Sequence, residues 1–153
     1  MTQQARVEAI EAARAAILPA LLAELRPTLL ARCGSNVPPA VLGKRLRQVF
    51  AGIRYVRDRD DASVPGREVV KDPRSILRHA GGDCEDLNLF TAGAAFRICS
   101  PGTPLASVYW PTLHRAHHVF LAYWAHGQWR VVDLVDGSRD EVWDGKGALL
   151  LWK

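Results

Sequence analysis

Apolar residues recur at helical spacing through the first fifth of the chain. Val7, Ile10, Ala13, Ile17, Leu18, Leu21, Leu22 and Leu25 form one stripe, which predicts helix over residues 3–32. Pro19 and Pro27 fall inside it, so the expectation is two or three pieces, broken or kinked at the prolines. Gly34-Ser35-Asn36 reads as a stop. Pro38 and Pro39 suit the first turn of a second helix over about 38–51, with Val41, Leu42, Leu46, Val49 and Phe50 to one side. Ile53 to Val56 is a short extended piece, and Arg57 to Val70 is polar and reads as a loop. Asp72-Pro73 opens a short helix that runs to Arg78 or His79, and Gly81-Gly82 ends it and re-aims the chain. The next helix starts at Asp83 or Cys84 and runs through Phe96, with Leu87, Phe90, Ala94 and Ile98 as its apolar stripe.

The period then changes from helical to alternating. Leu105–Trp110, Val119–Trp124, Trp129–Val135 and Ala148–Trp152 predict strands, with Ala125-His126-Gly127-Gln128 as a hairpin loop. Helices followed by an antiparallel sheet predict an α+β fold. At 153 residues one domain is expected, with 1–51 as a helical N-terminal part and 52–153 as the core.

Composition narrows the function classes. Hydrophobic content of 48% and charge of 24% are ordinary for a globular protein. Three cysteines (Cys33, Cys84, Cys99) are too few, and odd in number, for a disulfide framework. Glu8, Glu11 and Arg14 interrupt the first apolar stretch, which argues against a signal peptide or a membrane span; a cytoplasmic location is expected. A net charge of +4 permits an acidic partner, but no zinc finger or RNA-binding aromatic pattern is present, and no nucleic acid is expected.

The chemistry gathers at Gly81-Gly82-Asp83-Cys84-Glu85-Asp86-Leu87-Asn88. Nearby acids should raise a thiol's pKa. Against that, Cys84 falls in the first turn of a helix, where free N–H groups and the helix dipole favour a thiolate. Asp83 suits the N-cap. A free cysteine is also commonly a small buried hydrophobe. A nucleophile needs a base and the base an orienting partner, and His114-Arg115-Ala116-His117-His118 supplies candidates. If Ala125 opposes Gln128, then Phe120 opposes Asp133 and His118 opposes Val135. Side chains alternate along a strand, so His118 and Asp133 share a face at a diagonal position. Asp133 lies in an apolar strand, where a carboxylate needs a partner. In the same register His117 faces Asp136 on the other side, leaving that pair as the alternative base and orienter. His114, His117, His118 and Cys84 could in principle hold zinc. No CxxC or HExxH pattern supports this, and no metal is expected.

With Cys84, His118 and Asp133 in this order, the sequence resembles the transglutaminase-like superfamily, in particular its compact bacterial and tailed-phage members. The resemblance rests on Ile53-Arg54-Tyr55-Val56-Arg57-Asp58, Asp72-Pro73-Arg74-Ser75-Ile76-Leu77, Gly82-Asp83-Cys84-Glu85-Asp86, His117-His118-Val119-Phe120 and Trp129-Arg130-Val131-Val132-Asp133. It implies a papain-like fold in which a helix bearing the nucleophile packs on an antiparallel sheet. It implies Cys84 as nucleophile, His118 as base and Asp133 as orienter, with acyl transfer on an amide or peptide substrate through a thioester. No cofactor is implied for the chemical step, and no calcium-binding loop is legible. Where the family usually has proline after the aspartate, this chain has Leu134-Val135-Asp136-Gly137. Tyr55 and Trp110 are candidate oxyanion or groove residues. The resemblance also admits an inactive binding or assembly module, with virion association if the chain is phage-encoded.

Overall fold

The computed structural model describes residues 2–55, 81–135 and 141–153. Helix α1 spans Gln3–Cys33, and Thr2 caps it by accepting the Ala5 N–H on Oγ1 at 3.1 Å. The breaks expected at Pro19 and Pro27 do not occur, because both prolines lie within this one helix. A proline in a helix interior costs about 3 kcal/mol. Both are exposed, so neither ring enters the core. Between and beside them Leu18, Leu25 and Leu29 are buried. Fully burying one leucine contributes about 1.5–3 kcal/mol, and those burials require a continuous helix. Helix α2 spans Pro39–Val49 and buries Leu42 and Leu46; Val41, expected on its apolar side, is exposed.

Strand β1 (Arg54–Tyr55) pairs in parallel with β2 (Gly81–Gly82). The glycine pair is thus a short strand rather than a simple helix stop. A Cβ at Gly82 would sit 2.7 Å from Asp86 Cβ, so only glycine lets the chain pass this close to the helix that follows. The helix expected over Asp72 to His79 lies outside the described residues. The next helix opens at Cys84. Its first part, α3 (Glu85–Ala92), is π-wound, and it continues without interruption into α4 (Gly93–Cys99). Every residue of α3 is buried, beyond the single stripe that the sequence predicts. The reason is position: α1 packs on α4, and the sheet packs on α3.

The main sheet has strand order β5-β4-β3-β6, with β3 Leu105–Trp110, β4 His118–Ala125, β5 Gln128–Val132 and β6 Ala148–Leu151. All of its pairings are antiparallel. Ala125 opposes Gln128 across a two-residue turn at His126-Gly127, whose φ values of 54° and 76° suit a tight hairpin. Side chains alternate between two cores. Leu105, Tyr109, Val119, Leu121 and Tyr123 face the helices. Ala106, Val108, Phe120, Ala122 and Val131 pack under Trp129, Trp143 and Leu149. Trp152 joins three elements: its ring fills the space a Cβ at Gly93 would need, its Nε1–H donates to Ser107 Oγ at 2.8 Å, and the Arg14 guanidinium lies 4.3 Å above it. Among the described residues no helix is long and apolar enough to cross a membrane.

Candidate active site

The cap comes first. Asp83 Oδ1 accepts the Asp86 N–H at 3.4 Å, and Asp86 Oδ2 accepts the Asp83 N–H at 3.2 Å. The Asp83 carbonyl takes the Leu87 N–H at 2.9 Å. This reciprocal pair is a capping box with aspartate at both positions. It fixes Cys84 in the first turn, as the sequence predicts. The thiol is half-buried, and its S–H points to Glu85 Oε2 at 3.5 Å.

The electrostatics differ from a simple helix-dipole expectation. Burial pushes the Cys84 thiol up to about 11, and the Asp83 carboxylate adds to this. The nearby Val119 amide and contacts with Glu85 work the other way without winning. Loss of water around the sulfur outweighs the favourable helix end. The resting thiol is therefore protonated at neutral pH. Cys33 and Cys99 are buried at the far ends of α1 and α4, and burial raises both, Cys33 to about 12.

The hairpin delivers the second half of the site. His118 opens β4, and Asp133 follows the end of β5. His118 Nε2 lies 2.5 Å from Asp133 Oδ2, and Asp133 is 1% exposed. An imidazole that donates Nε2–H to a carboxylate keeps the lone pair on Nδ1, the form a base needs. Asp133 Oδ1 accepts from the Val135 N–H at 3.0 Å and from Asn88 Nδ2 at 3.1 Å. Asn88 Nδ2 also donates to the Val119 carbonyl at 2.7 Å, and Asn88 Oδ1 accepts the Leu134 N–H at 2.7 Å. Nothing in the local sequence pattern assigns Asn88 a role. The available signal was a poor helix former set among apolar residues four positions after Cys84.

Cys84 and His118 line one small cavity of about 40 Å³, together with Glu85, Tyr109, His117 and the first turns of α1 at Gln3, Arg6, Val7 and Ile10. Glu11, one residue further on, accepts the Tyr109 O–H at 2.9 Å. The space is of the order of one or two waters, far below the roughly 300–1,000 Å³ of a typical ligand pocket. An open groove of about 800 Å³ between α1 and β6 is larger; Glu11 lines it, but Cys84 and His118 do not.

The other candidates are placed as follows. His117 lines the cavity, but its ring meets the edge of Trp110, 4.9 Å away between centroids. Trp110 opposes His118 in the sheet and is exposed, and Tyr55 is exposed beside Gly82; neither lines the cavity. Asp136 lies outside the described residues. The carboxylates of Asp83, Glu85 and Asp86 offer oxygens within 4.8 Å of one another, although no calcium-loop pattern is legible in the sequence. Calcium takes six to eight oxygens, and two of these three residues already serve the capping box.

No protein-family model matches the sequence, and no curated protein does. Solved structures do resemble the fold. A proposed cysteine protease from Cytophaga hutchinsonii superposes with a TM-score of 0.53 at 10% identity, over 84% of this chain and 46% of its own. This chain thus spans less than half of that protein's length. LapG of Legionella pneumophila superposes with a TM-score of 0.52 at 18% identity, over 95% of this chain and 79% of its own. Its calcium-bound form gives 0.53 at 16% identity, over 95% and 87%. The fold of this chain is that of the papain-like cysteine proteases.

Proposed function

We propose that the chain is a thiol-dependent acyl-transfer enzyme that cleaves or exchanges amide or peptide bonds, with Cys84 as nucleophile, His118 as base and Asp133 as orienter. The observation that carries this reading is the placement of Cys84 and His118 on one cavity while Asp133 holds His118 Nε2 from behind. Because the resting thiol is protonated, His118 acts as a general base during attack. Nδ1 takes the Cys84 proton as the sulfur bonds to the substrate carbonyl. The imidazolium then protonates the leaving amine, and water or a second amine releases the acyl group from the thioester. The Cys84 backbone N–H is an available donor to the oxyanion. The fold likeness to cysteine proteases supports a protein or peptide substrate.

One observation favours a second reading, an inactive binding or assembly module: the cavity over the thiol is too small for a peptide. The two are separated by trapping acyl-enzyme on the full chain, with Cys84→Ser as control. A thioester adduct on Cys84 that is absent from the control supports the enzyme. Adducts independent of Cys84 remove the covalent mechanism.

A further inference from the structure

We infer that Asn88 is a positioning residue for the reacting pair: its side-chain amide sets the spacing between the helix that carries Cys84 and the strands that carry His118 and Asp133. This rests on the thiol-enzyme reading above.

Asn88 is fully buried, so its amide must find partners inside the protein. It has two donors and one acceptor oxygen, and three hydrogen bonds engage them. The surroundings fix which way the amide points. Two acceptors, the Val119 carbonyl and Asp133 Oδ1, face one end, and one donor, the Leu134 N–H, faces the other. A flipped amide would set oxygen against both acceptors and NH₂ against an N–H.

Each bond reaches a part of the site. Val119 follows His118 directly, and its carbonyl accepts from Asn88 Nδ2, while its N–H lies near enough to the Cys84 sulfur to favour the thiolate. Asp133 is held through Oδ1 by Asn88 and the Val135 N–H, which aims Oδ2 at His118. The Leu134 N–H anchors the chain just beyond β5 to the same amide. Asn88 lies four residues after Cys84, so one stretch of helix carries the thiol and grips the backbone just after its proposed base and just after the proposed orienter. Without the amide, the carboxylate can rotate and the start of β4 can move relative to the helix. A displacement of about 1 Å in such a constellation can lower a rate on the order of 10²-fold.

The test is the alkylation rate of Cys84 by iodoacetamide in the full chain, read by mass spectrometry from pH 5 to 9. Wild type, His118→Ala, Asn88→Ala and Asn88→Asp are compared, each with a urea denaturation curve. If wild type and His118→Ala share one pH profile, the base assignment itself is wrong. If they differ, the inference expects Asn88→Ala to move most of the way to the His118→Ala profile. Asn88→Asp is near-isosteric, so it keeps the experiment valid if the alanine variant does not fold. It sets a second carboxylate against Asp133, and two such groups share a proton well above the ordinary carboxylate range. Its rate relative to wild type should therefore be lowest near neutral pH and recover towards pH 5. A folded Asn88→Ala or Asn88→Asp with the wild-type profile, beside a shifted His118→Ala, overturns the inference.

Discussion

The cavity over Cys84 is closed by the first turns of α1, so loosening them should release the thiol. Val7 and Ile10 are 5% and 6% exposed and line that cavity. Changing both to alanine removes apolar groups while keeping the best helix former at each site. At about 0.8 kcal/mol per buried CH₂, Val7→Ala loses about 1.6 kcal/mol and Ile10→Ala about 2.4 kcal/mol. If that loss of about 4 kcal/mol falls on local detachment of these turns, the detached population rises roughly 10³-fold, at about 1.4 kcal/mol per tenfold. The assay is iodoacetamide labelling of the full chain at a fixed pH of 8. Cys33 and Cys99 serve as internal controls because they lie buried at the far ends of α1 and α4. Local release accelerates Cys84 alone. Parallel acceleration of all three thiols means global unfolding, and an unchanged Cys84 rate means that α1 does not guard the thiol. Either result refutes the reasoning.

Other consequences follow from the same contacts. His118→Ala should slow acyl-enzyme formation by about 10²–10⁴-fold, the usual contribution of a general base; a single-turnover measurement on the acyl donor identified by trapping checks this. Gly93→Ala drives a methyl into the Trp152 ring, and overpacking of this kind costs about 1–3 kcal/mol; a lower melting temperature with altered tryptophan emission is expected. Gly82→Ala pushes on Asp86, so it should weaken the capping box by about 1 kcal/mol, read as a lower urea midpoint. Folded-state pKa values of about 11 for Cys84 and about 12 for Cys33 lie above the ordinary 9.0. The unfolded chain loses those protons first, so stability should be level below pH 9 and fall as pH rises through 11 and 12. Urea midpoints should show this decline flattened in a Cys33→Ala/Cys84→Ala variant, and an equal decline in both proteins would contradict it.

The sequence makes some of this legible and hides the rest for physical reasons. The hairpin register can be read because a two-residue turn and strict alternation leave little freedom, and that register brings His118 to Asp133. The cap at Asp83 is readable because it is a local bargain between a side chain and its own helix. The continuity of α1 is not, since the local signal at Pro19 and Pro27 is overruled by leucines whose partners are remote in sequence. Asn88 is hidden for the same reason: its partners lie 31 to 46 residues away. The raised pKa of Cys84 depends on burial, which no local pattern near the cysteine encodes.

The way Trp152 ties α1, α4 and β3 together bears on the order of folding. The β3–β4–β5 hairpins and the α3–α4 helix are close in sequence and require only short loop closures. The seat of α1 depends on Arg14 meeting Trp152 and on Glu11 meeting Tyr109, the latter pair 98 residues apart. Contacts of such separation carry the largest loop-closure entropy, and they form late and slow the overall rate. The protein should therefore assemble its sheet and central helix first, with Cys84 uncovered. The thiol is sealed only in the last stage, so the interval before α1 docks is when it is most open to oxidation or to a passing electrophile.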